Sequence, residues 1–402
     1  MPQQALSDLL WPGDARAGDL FGDAAVVAAM VRVEQAWLHT LSGTPVDLSG
    51  LVEPDDLPAL AEESEASGNP VVPLLALLRS RLGDAGLLHA GLTSQDVLDT
   101  ALVLCLRETT GRLLDEVAAQ IEALCELADR HRDTPMAGRT LTQHAVPITF
   151  GLKVAGWLTG VLDARDVLAA AADLPIQIGG AAGSLAAPTA LAGAPGRARD
   201  WVARTAAELG LAVREPWHTA RAPFTRFADA LVTCSDAWGK IANDVLVGSR
   251  PEVGEIAEGT AEGRGGSSTM PNKRNPVLAV LVRRAALAAP PLAATMHVAA
   301  ANAVDERPDG SWHVEWATLR TLSRRTVVAG SQTAELLSGL TVNAARMART
   351  LDAARPGIDA EQRKFGADAP YRGATDDIID AVLARAARES SGRGRADRRT
   401  AR

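Results

Sequence analysis

The chain has 402 residues and a mass of 42.0 kDa, which is long enough to bury a large core. Its composition, 47% hydrophobic, 22% charged and only 3% aromatic, favours helices packed through small side chains over an aromatic-rich β-sandwich. The formal net charge of -8 disfavours a nucleic-acid-binding protein of the usual basic kind.

Cysteine usage and the apolar runs predict the compartment. Cys105, Cys125 and Cys234 are widely spaced and odd in number, so we expect neither a disulfide framework nor a CxxC metal site. The N-terminal segment has no basic region followed by an apolar core, so no signal peptide is predicted. No apolar run approaches the roughly 20 residues of a membrane span. These features predict a soluble cytoplasmic protein with reduced thiols.

The predicted elements become longer along the chain. Residues 1–92 are predicted to form an N-terminal helical domain of short helices broken by Pro and Gly. Residues 93–343 are predicted to form a central bundle of long helices that carries the motifs. Residues 344–389 are predicted to be a short C-terminal helical domain, and residues 390–402 a disordered basic tail.

Apolar residues spaced by three or four positions predict the long helices. One such set is Leu113, Val117, Ile121, Leu124 and Ala128; another is Phe224, Phe227, Leu231, Cys234, Trp238, Ile241 and Val245. Further helices are predicted over residues 147–168, with Pro147 in the first turn, over residues 314–340, and from about Val277. The predicted fold is all-α, an elongated subunit with a long central helical bundle, and its apolar surface predicts a homo-oligomer.

The most unusual passage runs from Gly263 to Pro276 and reads GRGGSSTMPNKRNP. Its glycines allow a mobile backbone, and Lys273 and Asn275 stand just before the helix predicted from Val277. A cation, an amide and the free N–H groups of a helix start together form an anion-binding site. For such a stretch taken alone, a solvated loop with a helix cap is the alternative.

Two further segments place polar residues at predicted helix starts. In residues 91–100, GLTSQDVLDT, Ser94 is predicted to cap a helix, which leaves Thr93 and the free N–H groups available to a carboxylate. In residues 138–147, GRTLTQHAVP, Thr140 and Gln143 precede a helix that begins with proline. A purely structural role stays open for each segment taken alone.

These three segments together resemble the fumarase/aspartase superfamily. Residues 267–275 match its signature loop, Ser-Ser-x-Met-Pro-x-Lys-x-Asn, without a mismatch, and residues 91–100 and 138–147 resemble its first and second motifs. Further stretches, residues 68–74 and 178–184 among them, look like the bacterial 3-carboxy-cis,cis-muconate cycloisomerases. The likeness covers roughly residues 20–345.

The resemblance implies an activity and a set of site residues. The activity is an intramolecular lyase reaction that interconverts 3-carboxy-cis,cis-muconate and 4-carboxymuconolactone in protocatechuate catabolism, the β-ketoadipate pathway. Ser267 is expected to carry the proton, with Lys273 and loop N–H groups lowering the pKa of its hydroxyl. The residues expected to bind substrate carboxylates are Lys273, Asn275, Thr93, Ser94, Thr140 and Gln143.

Two histidines are further candidates. His144 is a candidate for catalysis, by binding or by proton relay. His89 stands where lyases of the adenylosuccinate type carry a histidine, and is a substrate-binding candidate with a structural, hydrogen-bonded role as the alternative. Arg139 and Arg274 either add positive charge near the motifs or form structural ion pairs.

Leu141 is the departure from the second motif. It stands where fumarases, argininosuccinate lyases and adenylosuccinate lyases have a histidine. Departing alcohols, amines and amidines benefit from a proton donor, whereas a carboxylate, with a reference pKa near ~4, departs unassisted. The leucine therefore fits a superfamily member that releases a carboxylate, as lactone opening does.

The resemblance also implies an assembly and leaves alternatives open. It implies a homotetramer whose active sites are each shared by three chains, and a C-terminal domain shortened relative to the family. The expected partner is a small polycarboxylate, and no metal, cofactor, nucleic acid or membrane is expected. One alternative is a lyase of the adenylosuccinate type. The other is a non-catalytic helical scaffold, against which the intact loop around Ser267 argues.

Overall fold

The structure is a computed structural model that describes residues 8–83, 85–266, 269–270, 273–366 and 372–400, apart from the side chains of residue 361 and residues 389–400. It is 66% helical, which confirms the all-α prediction. The helices are α1 (Asp23–Ser42), α2 (Leu57–Ser67), α3 (Val71–Arg81), α4 (Ser94–Arg130), α5 (Phe150–Ala171), α6 (Ala186–Ala192), α7 (Pro195–Leu209), α8 (Ala222–Gly248), α9 (Val277–Ala301), α10 (Gly310–Ser338), α11 (Ala344–Lys364) and α12 (Thr375–Thr400). The strands are β1 (Pro135–Thr140), β2 (Gln143–Thr149), β3 (Ile256–Ala257) and β4 (Thr341–Val342), which pair antiparallel as β1–β2 and β3–β4.

The chain folds into two compact units. The first contains Met1–Arg112, Leu168–Val232 and Ala289–Val328, and the second contains Leu113–Val167, Thr233–Ala288 and Ala329–Arg402. Each unit therefore combines segments that are distant in the sequence. The division into residues 1–92, 93–343 and 344–389 stays a prediction.

The predicted apolar helix faces are buried. All seven apolar residues predicted for α8, from Phe224 to Val245, are completely buried. On α4, Leu113, Val117, Leu124 and Ala128 are also completely buried, whereas Ile121, the fifth residue of that predicted set, is half-buried. Spacing of three and four residues thus identified the core of both helices because it places those side chains on one face.

Two predicted segments differ from the structure. Pro147 does not begin a helix: it lies in β2, paired with Ala137, and the following helix begins at Phe150. A proline fits a strand of this two-stranded sheet because each strand has an edge at which no N–H is needed. At the C-terminus, the helical backbone of α12 extends to Thr400, through the segment predicted to be disordered.

Helix α9 has an unusual apolar character. Within the part of the chain that the structure describes, it alone is long and apolar enough to cross a membrane, with a mean hydropathy of 1.6 over a window that is 33% buried. Arg283 and Arg284 interrupt this stretch, so α9 contains no uninterrupted apolar run of roughly 20 residues, as expected from the sequence. A core helix of a soluble protein meets the same criterion.

A completely buried charge cluster joins helices of the first unit. The Arg221 guanidinium donates to Asp99 Oδ2 at 2.6 Å and to Glu315 Oε2 at 2.5 Å, and all three side chains are at most 1% exposed. Trp312 Nε1 also donates to Asp99 Oδ1, at 2.9 Å. Burial raises the pKa of Glu315, and Arg221 acts against that rise. The arginine thus compensates buried negative charge from α4 and α10.

We expect Arg221→Met to lower the free energy of unfolding by about 3–5 kcal/mol, because it leaves two buried carboxylates without their cation. The matched control is Arg320→Met, since Arg320 pairs with Asp23 at 2.7 Å with side chains 37% and 60% exposed. Removing such an exposed pair costs about 0–1 kcal/mol. Urea unfolding at one protein concentration measures both variants, and equal losses would contradict the buried-charge argument.

Candidate active site

The first motif is organised around a buried carboxylate. Asp96, near the start of α4, is completely buried. Its Oδ2 atom accepts hydrogen bonds from the backbone N–H groups of Thr93, at 3.0 Å, and Gly180, at 2.9 Å. Its Oδ1 atom accepts hydrogen bonds from Gly179 N, Gln177 Nε2 and His218 Nε2. The aspartate thus joins the start of α4 to two other segments of the first unit.

Thr93, rather than Ser94, is the N-cap of α4. The helix begins at Ser94, and the Thr93 carbonyl accepts the first helical N–H, that of Asp96, at 3.0 Å. The Thr93 hydroxyl accepts a hydrogen bond from Arg307 Nη1 at 3.0 Å. The prediction of Ser94 as the cap is therefore wrong by one position. The Asp96 carboxylate accepts the Thr93 N–H, and this contact fixes Thr93 as the residue that precedes the helix.

His89 lies in the turn that leads into this helix start. It adopts a left-handed backbone conformation with φ of 62°, and its carbonyl accepts the Leu92 N–H at 3.2 Å. Its Nδ1 lies 2.6 Å from Oε1 of Glu34, whose side chain is completely buried, while the His89 side chain is 15% exposed. His89 thus has the hydrogen-bonded structural role that was the alternative in the sequence analysis, through its contact with Glu34. Its binding of substrate stays a prediction.

The second motif is a β-hairpin whose tip is exposed. Thr140 pairs with Gln143 and Arg139 with His144, so the hairpin brings the predicted residues of this motif together. Leu141 and Thr142 form the turn with φ of 47° and 73°, and Leu141 is 96% exposed. A left-handed conformation costs a non-glycine residue about 1–3 kcal/mol, and such strain is concentrated at functional sites.

Arg139 forms a structural ion pair at the base of this tip. Its Nη1 and Nη2 atoms each donate to a carboxylate oxygen of Glu255, both at 2.8 Å. A cavity of about 50 Å³ beside the pair is also lined by Lys153 and Asp244. Burial lowers the pKa of Lys153, although Asp244, 3.6 Å away, acts in the opposite direction.

The third motif lies only partly within the described residues. Ser267, the predicted proton carrier, lies outside them. Lys273 is exposed, and Asn275 is half-buried, with its backbone N–H donating to Gly265 O at 2.8 Å. Gly265 has φ of 76°, and a Cβ atom there would lie 2.7 Å from Asn275 O. Only glycine therefore allows this close approach at the end of the signature loop.

The predicted site residues fall into two groups. His89, Thr93 and Ser94 belong to the first unit, and Thr140, Gln143, His144, Lys273 and Asn275 belong to the second. Sequence reasoning missed Asp96, His218 and Arg307 as partners of the first motif. The aspartate of the Thr-Ser-x-Asp motif was the available signal for the first of them. Among the described residues, no group of three or more His, Cys, Asp or Glu side chains is arranged to hold a metal ion.

Comparisons with known proteins give the family. A lyase family model matches residues 64–289. The chain is 44% identical to nitrosuccinate lyase of Streptomyces davaonensis over 393 residues, covering 92% of this chain and 81% of that protein. It is 40% identical to 3-carboxy-cis,cis-muconate cycloisomerase of Pseudomonas aeruginosa over 344 residues, covering 83% of this chain and 73% of that protein.

A solved structure supports the same assignment. The 3-carboxy-cis,cis-muconate lactonizing enzyme from Pseudomonas putida superposes with a TM-score of 0.77 and 32% identity, covering 92% of this chain and 86% of that one. The chain therefore belongs to the lyase family, and its fold is that of the fumarase/aspartase superfamily.

We expect Asp96→Asn to lower the free energy of unfolding by about 1.5–3 kcal/mol, because an amide has one acceptor oxygen where the carboxylate has two charged ones. Asp115→Asn, an exposed position on the same helix, is the matched control and is expected to change stability by about 0.5 kcal/mol or less. Urea unfolding measures both. Equal stability of the Asp96 variant and the wild type would contradict the organising role of this carboxylate.

Proposed function

We propose that this chain is a lyase that cleaves or forms a bond β to a carboxylate and releases a weakly basic anion. The observation that carries the proposal is Leu141, an exposed leucine at the tip of a hairpin otherwise lined by Thr140, Gln143 and His144. Leucine has no proton to donate to a departing group. A reaction at this site therefore favours a leaving group that is stable as an anion.

Nitrite and carboxylate are both such leaving groups. Each is the conjugate base of an acid that is largely ionised at neutral pH. We propose nitrosuccinate as the first substrate to test, because nitrosuccinate lyase is the relative that matches at 44% identity over 92% of this chain. Loss of a proton from C3 and of nitrite from C2 gives fumarate, so the C–H and C–N bonds break as the C=C bond forms.

The cycloisomerase reaction predicted from the sequence is the second candidate. Relatives with that name are 33–40% identical to this chain. In this reaction the departing group is the lactone carboxylate, which leaves from the carbon β to the carboxylate that activates the substrate. Elimination of an amine, as in lyases of the adenylosuccinate type, is disfavoured because Leu141 cannot protonate the nitrogen.

The proposed mechanism is common to both substrates. Ser267 removes the proton next to a carboxylate, which becomes an enediolate-like dianion. Lys273 and Asn275 stabilise this charge, and Thr93, Ser94, Thr140 and Gln143 hold the carboxylates, with His144 and His89 as weaker candidates. The substrate is already ionised, so the protein supplies geometry and charge stabilisation.

We further propose that a homotetramer in the cytoplasm is the active form. On α9, Val280, Leu287 and Val298 are 51%, 69% and 62% exposed. Spacings of 7 and 11 residues place these side chains on one face of the helix. An apolar face of this kind is typical of a surface covered by another copy of the chain.

The test of the proposed function is a substrate panel. We expect the wild-type protein to release nitrite from nitrosuccinate or to remove the ultraviolet absorbance of 3-carboxy-cis,cis-muconate, at least about 100-fold faster than it cleaves adenylosuccinate. Ser267→Ala is expected to lower kcat by about 10²–10⁴-fold. Ser249→Ala, which removes a hydroxyl bonded to Leu246 O, is the control. Faster cleavage of adenylosuccinate than of both other substrates would contradict the proposal.

A second test addresses the leaving group. We expect Leu141→His to raise cleavage of adenylosuccinate at least about tenfold, since an imidazole at the tip provides a proton donor, and to change release of a weakly basic anion by less than about tenfold. Leu191→His, at a leucine that is 52% exposed on α6, is the control for an added surface histidine. If both variants leave all rates unchanged, the tip does not contact the departing group.

A further inference from the structure

The Arg139–Glu255 pair has the geometry of a rigid connection. The guanidinium binds both carboxylate oxygens at 2.8 Å, and the Glu255 side chain is only 3% exposed while that of Arg139 is 24% exposed. A bidentate pair of this kind fixes the angle of approach as well as the distance. It therefore restrains orientation more strongly than a single contact does.

Glu255 is itself held by backbone hydrogen bonds. Its N–H donates to Gly248 O at 3.0 Å, and its carbonyl accepts the Asn343 N–H at 2.9 Å. The next residue, Ile256, pairs with Val342 in the β3–β4 sheet. The carboxylate that receives Arg139 thus stands on backbone anchored to the end of α8 and to the segment before α11.

The signature loop follows this anchored segment in the sequence. Glu258 Oε2 accepts the Ala279 N–H at 3.1 Å, and Arg264 Nη2 donates to Gly259 O at 3.0 Å. Glu258 therefore joins the beginning of the loop to the start of α9, where the loop ends. Residues 255–258 form what we call the loop root.

The β1–β2 hairpin has an irregularity directly before Arg139. Its register shifts between Ala137 and Arg139, and a Cβ atom at Gly138 would lie 2.8 Å from Val146 O. The irregularity of a bulge changes the direction of the side chains that follow it. Arg139 lies directly before Thr140 and pairs across the hairpin with His144.

We propose that Arg139 and Glu255 are positioning residues, which fix the hairpin carrying Thr140, Gln143 and His144 relative to the loop root. This inference rests on the proposed function, in which the hairpin holds a substrate carboxylate and the loop carries the proton. Displacement of such groups by about 1 Å can cost about 10²-fold in rate. The pair acts through the hairpin and the loop root, without contact with the substrate.

The kinetic test compares Arg139→Lys, Arg139→Gln, Arg139→Glu, Glu255→Gln and the exchange R139E/E255R. We expect each single variant to lower kcat by about 10–100-fold with a smaller rise in KM, because the transition state depends most on alignment. This expectation includes Arg139→Lys, since lysine keeps the positive charge but cannot bind both carboxylate oxygens. The exchange is expected to regain at least about tenfold over Arg139→Glu alone.

The matched control is Arg385→Gln, which removes contacts to Asp163 at 2.7 Å and Asp166 at 2.6 Å in the same unit. It is expected to leave kcat within about twofold of the wild type. The inference is overturned if the Arg139 variants keep kcat within twofold, or if KM alone changes, or if the control lowers kcat equally.

Hydrogen exchange provides a readout that does not require activity. We expect Arg139→Gln to accelerate exchange of the hairpin, residues 135–149, and of the loop root at least about tenfold, with α12 unchanged. Absence of this acceleration overturns the inference. A wild-type protein that cleaves no substrate, together with the accelerated exchange, would instead contradict the proposed function and leave the positioning role supported.

Discussion

The buried Asp96 carboxylate is the constraint on which the first unit depends. A charge taken out of water is tolerated only where donors replace its hydration, and Asp96 receives donors from its own helix start, from residues 177–180 and from His218. Backbone N–H groups from different segments share one short side chain. The hydrogen bonds to this one carboxylate therefore fix the positions of these backbone segments relative to each other.

The second unit uses the same principle at its own motifs. Glu255 receives Arg139 from the hairpin, and Glu258 accepts the backbone N–H of Ala279 and lies 3.3 Å from the Arg264 guanidinium. In both units acidic side chains hold structural segments, whereas Thr140, Gln143 and Lys273 are exposed. A net charge of -8 is thus compatible with a polycarboxylate substrate, because screening over about 8–10 Å leaves mainly the nearest charges to act on it.

Helices could be predicted from the sequence, while long-range polar contacts could not. The apolar spacing in α4 and α8 identified buried faces because each face is a local property of one helix. The Asp96–His218 contact joins residues 122 positions apart, and no spacing rule identifies such a partner. The hairpin was missed because its turn residues, Leu141 and Thr142, lack the Asn-Gly or Asp-Gly pattern typical of tight turns. The motif residues themselves were identified through resemblance, which carries no information about their contacts.

In the proposed mechanism, the residue at the hairpin tip determines which leaving groups are accepted. If the departing group needs no proton donor, the proposed proton carrier and the proposed dianion-stabilising groups would serve nitrite release and lactone opening alike. Discrimination between substrates would then depend on the residues that face the departing group. Leu141 is 96% exposed within this chain and is therefore accessible to such a group. Arg139 lies on the strand that precedes the tip and binds Glu255, so we propose that a substitution at the tip leaves Thr140 and Gln143 in position. In this proposal the tip separates weakly basic from strongly basic leaving groups, so the choice between nitrosuccinate and the muconolactone, the substrates suggested by relatives 44% and 40% identical to this chain, depends on other contacts with the substrate.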